Sequence, residues 1–553
     1  MKDRTRLIAA SIIALSIGLV AFIFRFNTLG GALGGFDNDH FIYLIRTDML
    51  LGGEQPLRDF ADAELRGAWP ALTYAISAWA QQLGGRTLLP EAFLTAGGLA
   101  AASAGVFLIA LRLSARWSAA VLAAATTVVM SPKLYNYPKV LMLALAAWAL
   151  IAAVREPSLT RLTILALITV VAALFRHDLG LYIGVATIVA LGVRHAGEWR
   201  ATGRAMAAYA ALTLLFTVPP LVSVQVYEGI PSYIQHSLTS VAAERARTPL
   251  VLSPLDVRAP FSGESLLHVT YYAFWAVPVL AALAWLAEVV VPSAPPLSAP
   301  DRAAGAGLFT LAVLANMSFL RANLAERFGD AAVPVVLMAA WIVGRAVGWR
   351  SPVARAVLTV VPVVLIAQMF TAAYAFSDVR RELDTSGLSD SWDKVARRYT
   401  SVKRELSALP PQHWDGPETE SGILSAARYI ATCTGPDDRI LVVGPTHEIL
   451  VLAGRKFAAG QPLFKLSMYT SDQDQRRAIA RLDAQSVPVL VASAREFGDS
   501  LLEDYPLVAR YLAGRFRDVG SIEVDEESRV RVFVDASRNP VRMDARLGLP
   551  CFR

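Results

Sequence analysis

The chain has 553 residues, of which 55% are hydrophobic and only 18% charged, too little charge to cover a soluble protein of this length. Apolar runs near the ~20 residues needed to cross a hydrocarbon core recur through the first two thirds, which reads as a polytopic α-helical membrane protein. The net charge of +6 sits mostly in short loops between those runs, where Arg and Lys set orientation, so it is no nucleic-acid footprint.

The first apolar run, 7–24, follows a basic start of Lys2, Arg4 and Arg6. It is longer than a signal-peptide core and many runs follow, so an uncleaved anchor is expected, although small residues near 30–35 keep cleavage open. Further spans are expected near 91–111, 117–131, 138–154, 162–176, 179–193, 205–226, 269–291, 303–320, 331–347 and 355–376, about eleven in all. With the amino terminus inside, the inner connections carry Arg112 and Arg116, Arg155 and Arg161, Arg194, Arg200 and Arg204, Arg302, then Arg345, Arg350 and Arg355. That alternation obeys the positive-inside rule and puts 34–90 and everything after 377 outside. The expected organisation is a membrane domain over 1–376 with a large first outer loop at 25–90, a linker at 377–419, and an outer α/β domain at 420–553.

Within the first loop, "GGFDNDHFIYLIRTDMLLGGEQPLRDF" (34–60) places Asp37 and Asp39 just beyond a membrane exit. Either carboxylate can act as a general base for a hydroxyl or amine acceptor, or can cap the helix beginning near His40. That helix, 39–51, sets Phe41, Ile42, Ile45 and Met49 against Arg46 and Asp48, and Gly52-Gly53 ends it. A second helix, 69–83, carries Trp69, Leu72, Ile76, Trp79 and Leu83 opposite Thr73, Ser77 and Gln81. Both are too short to span, and read either as interfacial helices or as packing helices of a large loop. More acids follow the first of them, at Asp59, Asp62 and Glu64.

Three outer turns carry cations where the orientation rule depletes them. "SPKLYNYPK" (131–139) flanks Tyr135 and Tyr137 with Lys133 and Lys139; these are interfacial anchors or phosphate ligands. "FRHDLGLY" (175–182) interrupts apolar sequence with Arg176, His177 and Asp178, either a structural Arg–Asp pair or a binding group, since ionisable residues at such depth are costly. "FLRANLAERFGD" (319–330) adds Arg321 and Arg327. Arg holds phosphate through a bidentate fork and Lys as a point charge. His177 has no second ligand at metal spacing, and no metal or cofactor is expected.

After 377 the composition becomes that of a soluble domain. "RILVVG" (439–444) and "VPVLVAS" (487–493) read as strands, 420–432, 473–485 and 499–514 as helices, and "VGSIEV" with "RVRVFVD" as a closing strand pair. No phosphate-binding Gly loop is present. Cys433 and Cys551, the two cysteines of the chain, can bridge in an oxidising compartment.

An odd first span, an early acidic motif, two short helices in the first loop, many further spans and an outer α/β tail together resemble the GT-C glycosyltransferases. The resemblance is to bacterial relatives of protein O-mannosyltransferase and aminoarabinose transferase in particular. "DNDHFIYLIRTDMLLGGEQPLRDF" is similar to their "DEgfYlylA..ll.Ge.pYrDf" pattern and sets Asp39 on the family's catalytic aspartate. "AGRKFAAGQPLF" (453–464) also resembles tails of such enzymes. His40 stands where the family usually has Glu, and "AELRGAWP" replaces its "HkPPl" approach to the next helix.

The resemblance implies a bacterial inner-membrane enzyme that moves a sugar from a polyprenyl-phosphate-linked donor to a glycan, lipid or protein acceptor at the outer face. In that reading Asp39, or Asp37 two residues earlier, is the base. Arg176, Lys139, Lys133, Arg321 and Arg327 hold the donor phosphate, and Asp59, Asp62, His177, Asp178, Tyr135 and Tyr137 contact substrate. A transporter, or a non-catalytic envelope assembly or sugar-binding protein, is the alternative. A transporter would favour ionisable groups inside spans and repeated halves with broken helices, which the sequence does not display.

Overall fold

Each of the eleven expected spans falls on an α-helix in the computed structural model, which describes residues 2–29, 35–36, 38–61, 72–130, 132–247, 263–290, 297–320, 325–376, 379–409, 422–464, 468–493, 499–524 and 529–553. Among the described residues, eight helices are long and apolar enough to cross a membrane. Trp117–Val129 and Leu159–Phe175 are apolar but shorter, and Ala299–Asn316 opens on a polar turn containing Asp301. The chain is a polytopic α-helical membrane protein with a carboxy-terminal α/β domain.

The chain divides into two compact units. The first comprises Met1–Thr28, Phe93–Pro219 and Thr248–Tyr399 and holds most of the membrane helices. Its helices approach closely where glycine permits. A Cβ on Gly180 would lie 2.4 Å from the Cβ of Ala173, and one on Gly344 would lie 2.0 Å from the carbonyl of Leu113.

The second unit comprises Leu29–Ala92, Pro220–Arg247 and Thr400–Arg553. In this division the first loop groups with the tail. The joints are polar. Glu54 accepts from Arg439 at 2.6 Å and from Lys456 at 2.8 Å. The Ala61 amide donates to the Gly460 carbonyl at 2.6 Å, and Arg481 donates to the Arg58 carbonyl at 3.0 Å.

The tail carries β1 (Arg439–Val443), β2 (Lys456–Phe457), β3 (Val489–Ser493), β4 (Phe516–Glu523) and β5 (Arg529–Asp535) in the order β2-β1-β3-β5-β4. β1 pairs in parallel with β2 and β3, and β5 pairs antiparallel with β3 and β4. β1 and β3 are almost wholly buried, as parallel strands covered on both faces must be. Leu441, Val443, Leu490 and Phe533 meet Leu482 and Leu512 of the helices Asp472–Ala484 and Pro506–Arg515 in one core.

Cys433, at the end of helix Gly422–Cys433, is bridged to Cys551, in the strand Pro550–Cys551, 118 residues away. Both are fully buried. Closing so long a loop restricts the unfolded chain, so the double change Cys433→Ser and Cys551→Ser is expected to lower the tail's stability by about 2–5 kcal/mol. Denaturant melts of the full chain with and without reductant check this. Thiol labelling should appear only after reduction, and labelling of the unreduced protein would contradict the bridge.

The first of the two helices in the first loop corrects its expected polar face, and the second keeps its two faces. Asn38–Leu51 is buried nearly all round, and Arg46, expected on an outer polar face, is fully buried with its guanidinium 5.9 Å from the ring centroid of Tyr74. It is a packing helix, enclosed by Leu72–Gly84, the helix Glu448–Ala453 and β2. Leu72–Gly84 instead turns its polar side inward, burying Thr73, Ser77 and Gln81, while Trp79 and Leu83 are 63% and 73% exposed. Gly53 adopts a left-handed φ of 84° just beyond Leu51, which is the helix stop read from the sequence.

Candidate active site

In the membrane unit, three sequence-distant polar segments converge. The turn before helix Tyr137–Arg155 packs against helix Ala325–Ala346 so tightly that a Cβ on Gly329 would lie 2.9 Å from Pro132. That approach sets Lys139 against Asp330 in an ion pair with side chains 14% and 9% exposed. Asn136 donates to the same carboxylate oxygen at 3.3 Å. Arg176 and Asp178 both lie near enough to Lys139 to act on its charge.

Arg176 sits in the break between helices Leu159–Phe175 and His177–Arg194, with extended backbone angles. Its Nε and Nη2 donate to the two oxygens of Asp178 at 3.0 and 2.7 Å, and Asp178 Oδ1 also accepts from the Leu179 amide at 2.9 Å. The structural Arg–Asp pair therefore exists. It uses one edge of the guanidinium, and the fork has five N–H donors. Arg176 is 17% and Asp178 40% exposed at the side chain, so the pair is half-buried beside a second cation.

Sequence reasoning missed Arg25. It lies at the end of the first helix, is 9% exposed, and its Nη2 donates to the Pro132 carbonyl at 2.5 Å. The signal was available, since the sequence reading puts this end of the first span outside, where the orientation rule depletes cations.

Of the other residues read from the sequence, Lys133, Tyr135, His177 and Arg327 are half-buried near these turns. Tyr137 is a core residue, 3% exposed, packed edge-on to Phe175 at 6.2 Å. Its ring fills the space left by Gly98, where a Cβ would meet it at 2.4 Å. Arg321, Asp37 and Asp62 lie outside the described residues.

The second unit holds Asp39. The helix begins at Asn38, one turn-position earlier than read, so Asp39 stands inside the first turn rather than capping it. A carboxylate there is favoured by the helix dipole. Asp39 is half-buried, and the next residue, His40, is locked. Its Nε2 bonds Glu91 Oε1 at 2.7 Å, and Ser77 donates to the other oxygen of Glu91. All three are buried, so Glu91 anchors the start of the Asp39 helix.

His447 lies within electrostatic reach of both Asp39 and Arg46. Burial pushes its imidazole down to about 4, so near neutral pH it is uncharged and its Nε2–H donates to the Pro462 carbonyl at 2.8 Å. Asp48, on the same helix as Asp39, is pushed up to about 7 by burial, against the pull of Arg86 and Lys456. Asp59 instead belongs to the loop framework. It accepts from Arg58 at 2.6 Å and from the Gln55 amide at 2.8 Å, and the Arg58 bond holds it below the usual carboxylate range.

A further contact in this unit was not read from the sequence. His236, on helix Ile230–Arg247, bonds Glu228 at 2.7 Å, lies 3.5 Å from Asp474, and packs at a tilt against Tyr469 with ring centroids 4.6 Å apart. Asp474 first, and then Glu228, raise its pKa from 6.5 to about 9. The folded value lies above the unfolded one, so this stabilisation is fully present below pH 6.5 and is lost as pH rises through 9. Thermal melts across pH should show the advantage of wild type over His236→Gln shrinking in that window. A constant advantage would mean that the imidazole does not titrate against these acids.

No family model matches the sequence, and no curated protein matches it. Among solved structures, the chain is similar to ArnT from Cupriavidus metallidurans bound to undecaprenyl phosphate, with 16% identity, coverage of 96% of this chain and 98% of that one, and a TM-score of 0.47. It is similar to the apo state of the same protein at 15% identity, with the same coverages and a TM-score of 0.46.

Proposed function

We propose that this chain is a membrane glycosyltransferase of the bacterial inner membrane. It moves a sugar from a polyprenyl-phosphate-linked donor to a glycan, lipid or protein acceptor at the outer face. The observation that carries the reading is the convergence of Lys139 and Arg176 with Asp330 and Asp178 in the membrane unit, cations concentrated where the orientation rule removes them. The acidic motif at 37–60 supports the same chemistry.

In the membrane unit, Lys139 and Arg176, with Lys133, Arg321 and Arg327 from the same turns, stabilise the phosphate whose charge grows as the sugar departs. In the second unit Asp39 is the base, with Asp37 as its competitor. The acceptor oxygen attacks the anomeric carbon, its proton passes to the carboxylate, and the electron pair of the breaking bond leaves on the donor phosphate oxygen. A single displacement of this kind inverts the sugar. The Cys433–Cys551 bridge supports an oxidising compartment for the tail.

Transfer of labelled sugar from a polyprenyl-phosphate donor, measured in vesicles holding the full chain, tests the reading. Transfer that requires both the protein and Asp39 is expected. Movement of free sugar across the vesicle wall without transfer would favour a transporter, and neither would favour a non-catalytic binding protein.

A further inference from the structure

We infer that the membrane unit carries a second lipid site, separate from the cation cluster, that seats one anionic phospholipid of the bilayer with its headgroup on Arg6 and Arg112. The groove has a volume of about 660 Å³ and runs between the first helix, helix Leu88–Ser114 and helix Tyr137–Arg155. Clefts that hold small ligands span roughly 300–1,000 Å³. Its walls are apolar apart from Arg6 and Arg112, with Trp148 along one side. Gly105 lines it, and a Cβ there would meet nothing within 4 Å.

Length and charge together choose the occupant. On helix Tyr137–Arg155 the lining runs from Leu141 to Ile151, ten residues or about 15 Å at 1.5 Å per residue. That is one leaflet of a hydrocarbon core of about 30 Å. The cations stand at one end of it. Arg6 and Arg112 are exposed, and neither has a carboxylate partner among the described residues; Arg6 donates to the Ala115 carbonyl at 3.4 Å. A neutral lipid would leave both charges unanswered, whereas a phosphodiester headgroup pairs with them.

The donor lipid is a poor occupant. Ile151 lies twelve residues from Lys139 along the same helix, about 18 Å. A phosphate at Arg6 and Arg112 is therefore far from the cluster around Asp330. By the positive-inside rule the Arg end faces the inner leaflet. The inference stands independently of the glycosyltransferase reading.

Native mass spectrometry of the full chain in mild detergent, with dioleoyl phosphatidylglycerol or dioleoyl phosphatidylcholine added, tests it. Phosphatidylglycerol should be retained about thirtyfold better, the scale expected for two cations at a lipid surface. The double change Arg6→Gln and Arg112→Gln should reduce its retention to that of phosphatidylcholine. Gly105→Leu should weaken both lipids with the charges intact, and Ala101→Leu serves if that variant melts early. Arg200→Gln with Arg204→Gln, exposed cations elsewhere in this unit, should change nothing. Equal retention of the two lipids, loss of selectivity in the Arg200/Arg204 control, or one-for-one displacement of phosphatidylglycerol by undecaprenyl phosphate would overturn the site.

Discussion

Asp39→Asn is expected to lower sugar transfer by about 10²–10⁴-fold, the usual cost of losing a general base, with protein level and membrane insertion near wild type. The structural cost is small, because the side chain is half-buried in the first turn of helix Asn38–Leu51. Losing a carboxylate from that turn forfeits about 0.3–1 kcal/mol of dipole interaction. Asn keeps the shape and removes the proton acceptor. Transfer from a polyprenyl-phosphate donor and protein yield should be measured side by side. If Asp39→Asn retains full activity while Asp37→Asn loses it, the base is two residues earlier.

Glu91→Gln supplies a contrast in the same unit. It leaves Asp39 in place but removes the charge that holds His40 and Ser77. If the His40–Glu91 contact only orients the helix, Glu91→Gln should lower transfer less than Asp39→Asn, and should lower stability by an amount typical of a broken buried hydrogen bond to a charged group, about 1.5–3 kcal/mol.

The spans were legible because a membrane imposes one requirement, an apolar run of sufficient length, that a sequence states directly. The tail strands were legible for a related reason. "RILVV" and "VLVAS" are continuous apolar runs, as buried parallel strands must be, and β5 sets Val530, Val532 and Val534 at every second position, all buried. What failed was the facing of one short helix. Arg46 on helix Asn38–Leu51 looks solvent-directed by periodicity, yet it is fully buried over Tyr74. Tertiary enclosure by the helix Glu448–Ala453 and β2, some four hundred residues away in the chain, decides that, and no local pattern encodes it. Leu72–Gly84 keeps the two faces read from the sequence, with Trp79 and Leu83 exposed opposite buried Thr73, Ser77 and Gln81.

The membrane site was half legible. Lys139 and Arg176 stood out as misplaced cations, but the sequence offered Asp330, the partner that buries Lys139, only as a possible partner of Arg321 and Arg327. Gly329 beside Pro132 is the reason the two meet, and a glycine's neighbour is invisible in sequence. Helix Ile230–Arg247, between two spans, was left unassigned because its polar face gives neither a membrane signal nor a domain signal. Its His236 contact with Asp474 is what fixes it to the tail.

The Lys139–Asp330 pair allows binding to be separated from architecture. Both side chains are largely buried, so Lys139→Met alone leaves an uncompensated carboxylate and should cost about 3–5 kcal/mol, as should Asp330→Leu alone. The double variant removes both charges, and its protein level should recover toward wild type. A purely structural pair predicts that transfer recovers with it. If Lys139 instead supplies charge to the donor phosphate, the double variant is well folded and still inactive. Arg176 gives the complementary readout. Its fork already engages Asp178 along one edge, so Arg176→Lys should keep a point charge near the pair while losing the planar donor set. Transfer should fall sharply with little change in yield, whereas Lys139→Arg, where charge alone matters, should be tolerated better. Normal turnover in Arg176→Lys, together with active Lys139→Met/Asp330→Leu protein, would remove the membrane cluster from the donor site and leave it a structural clasp.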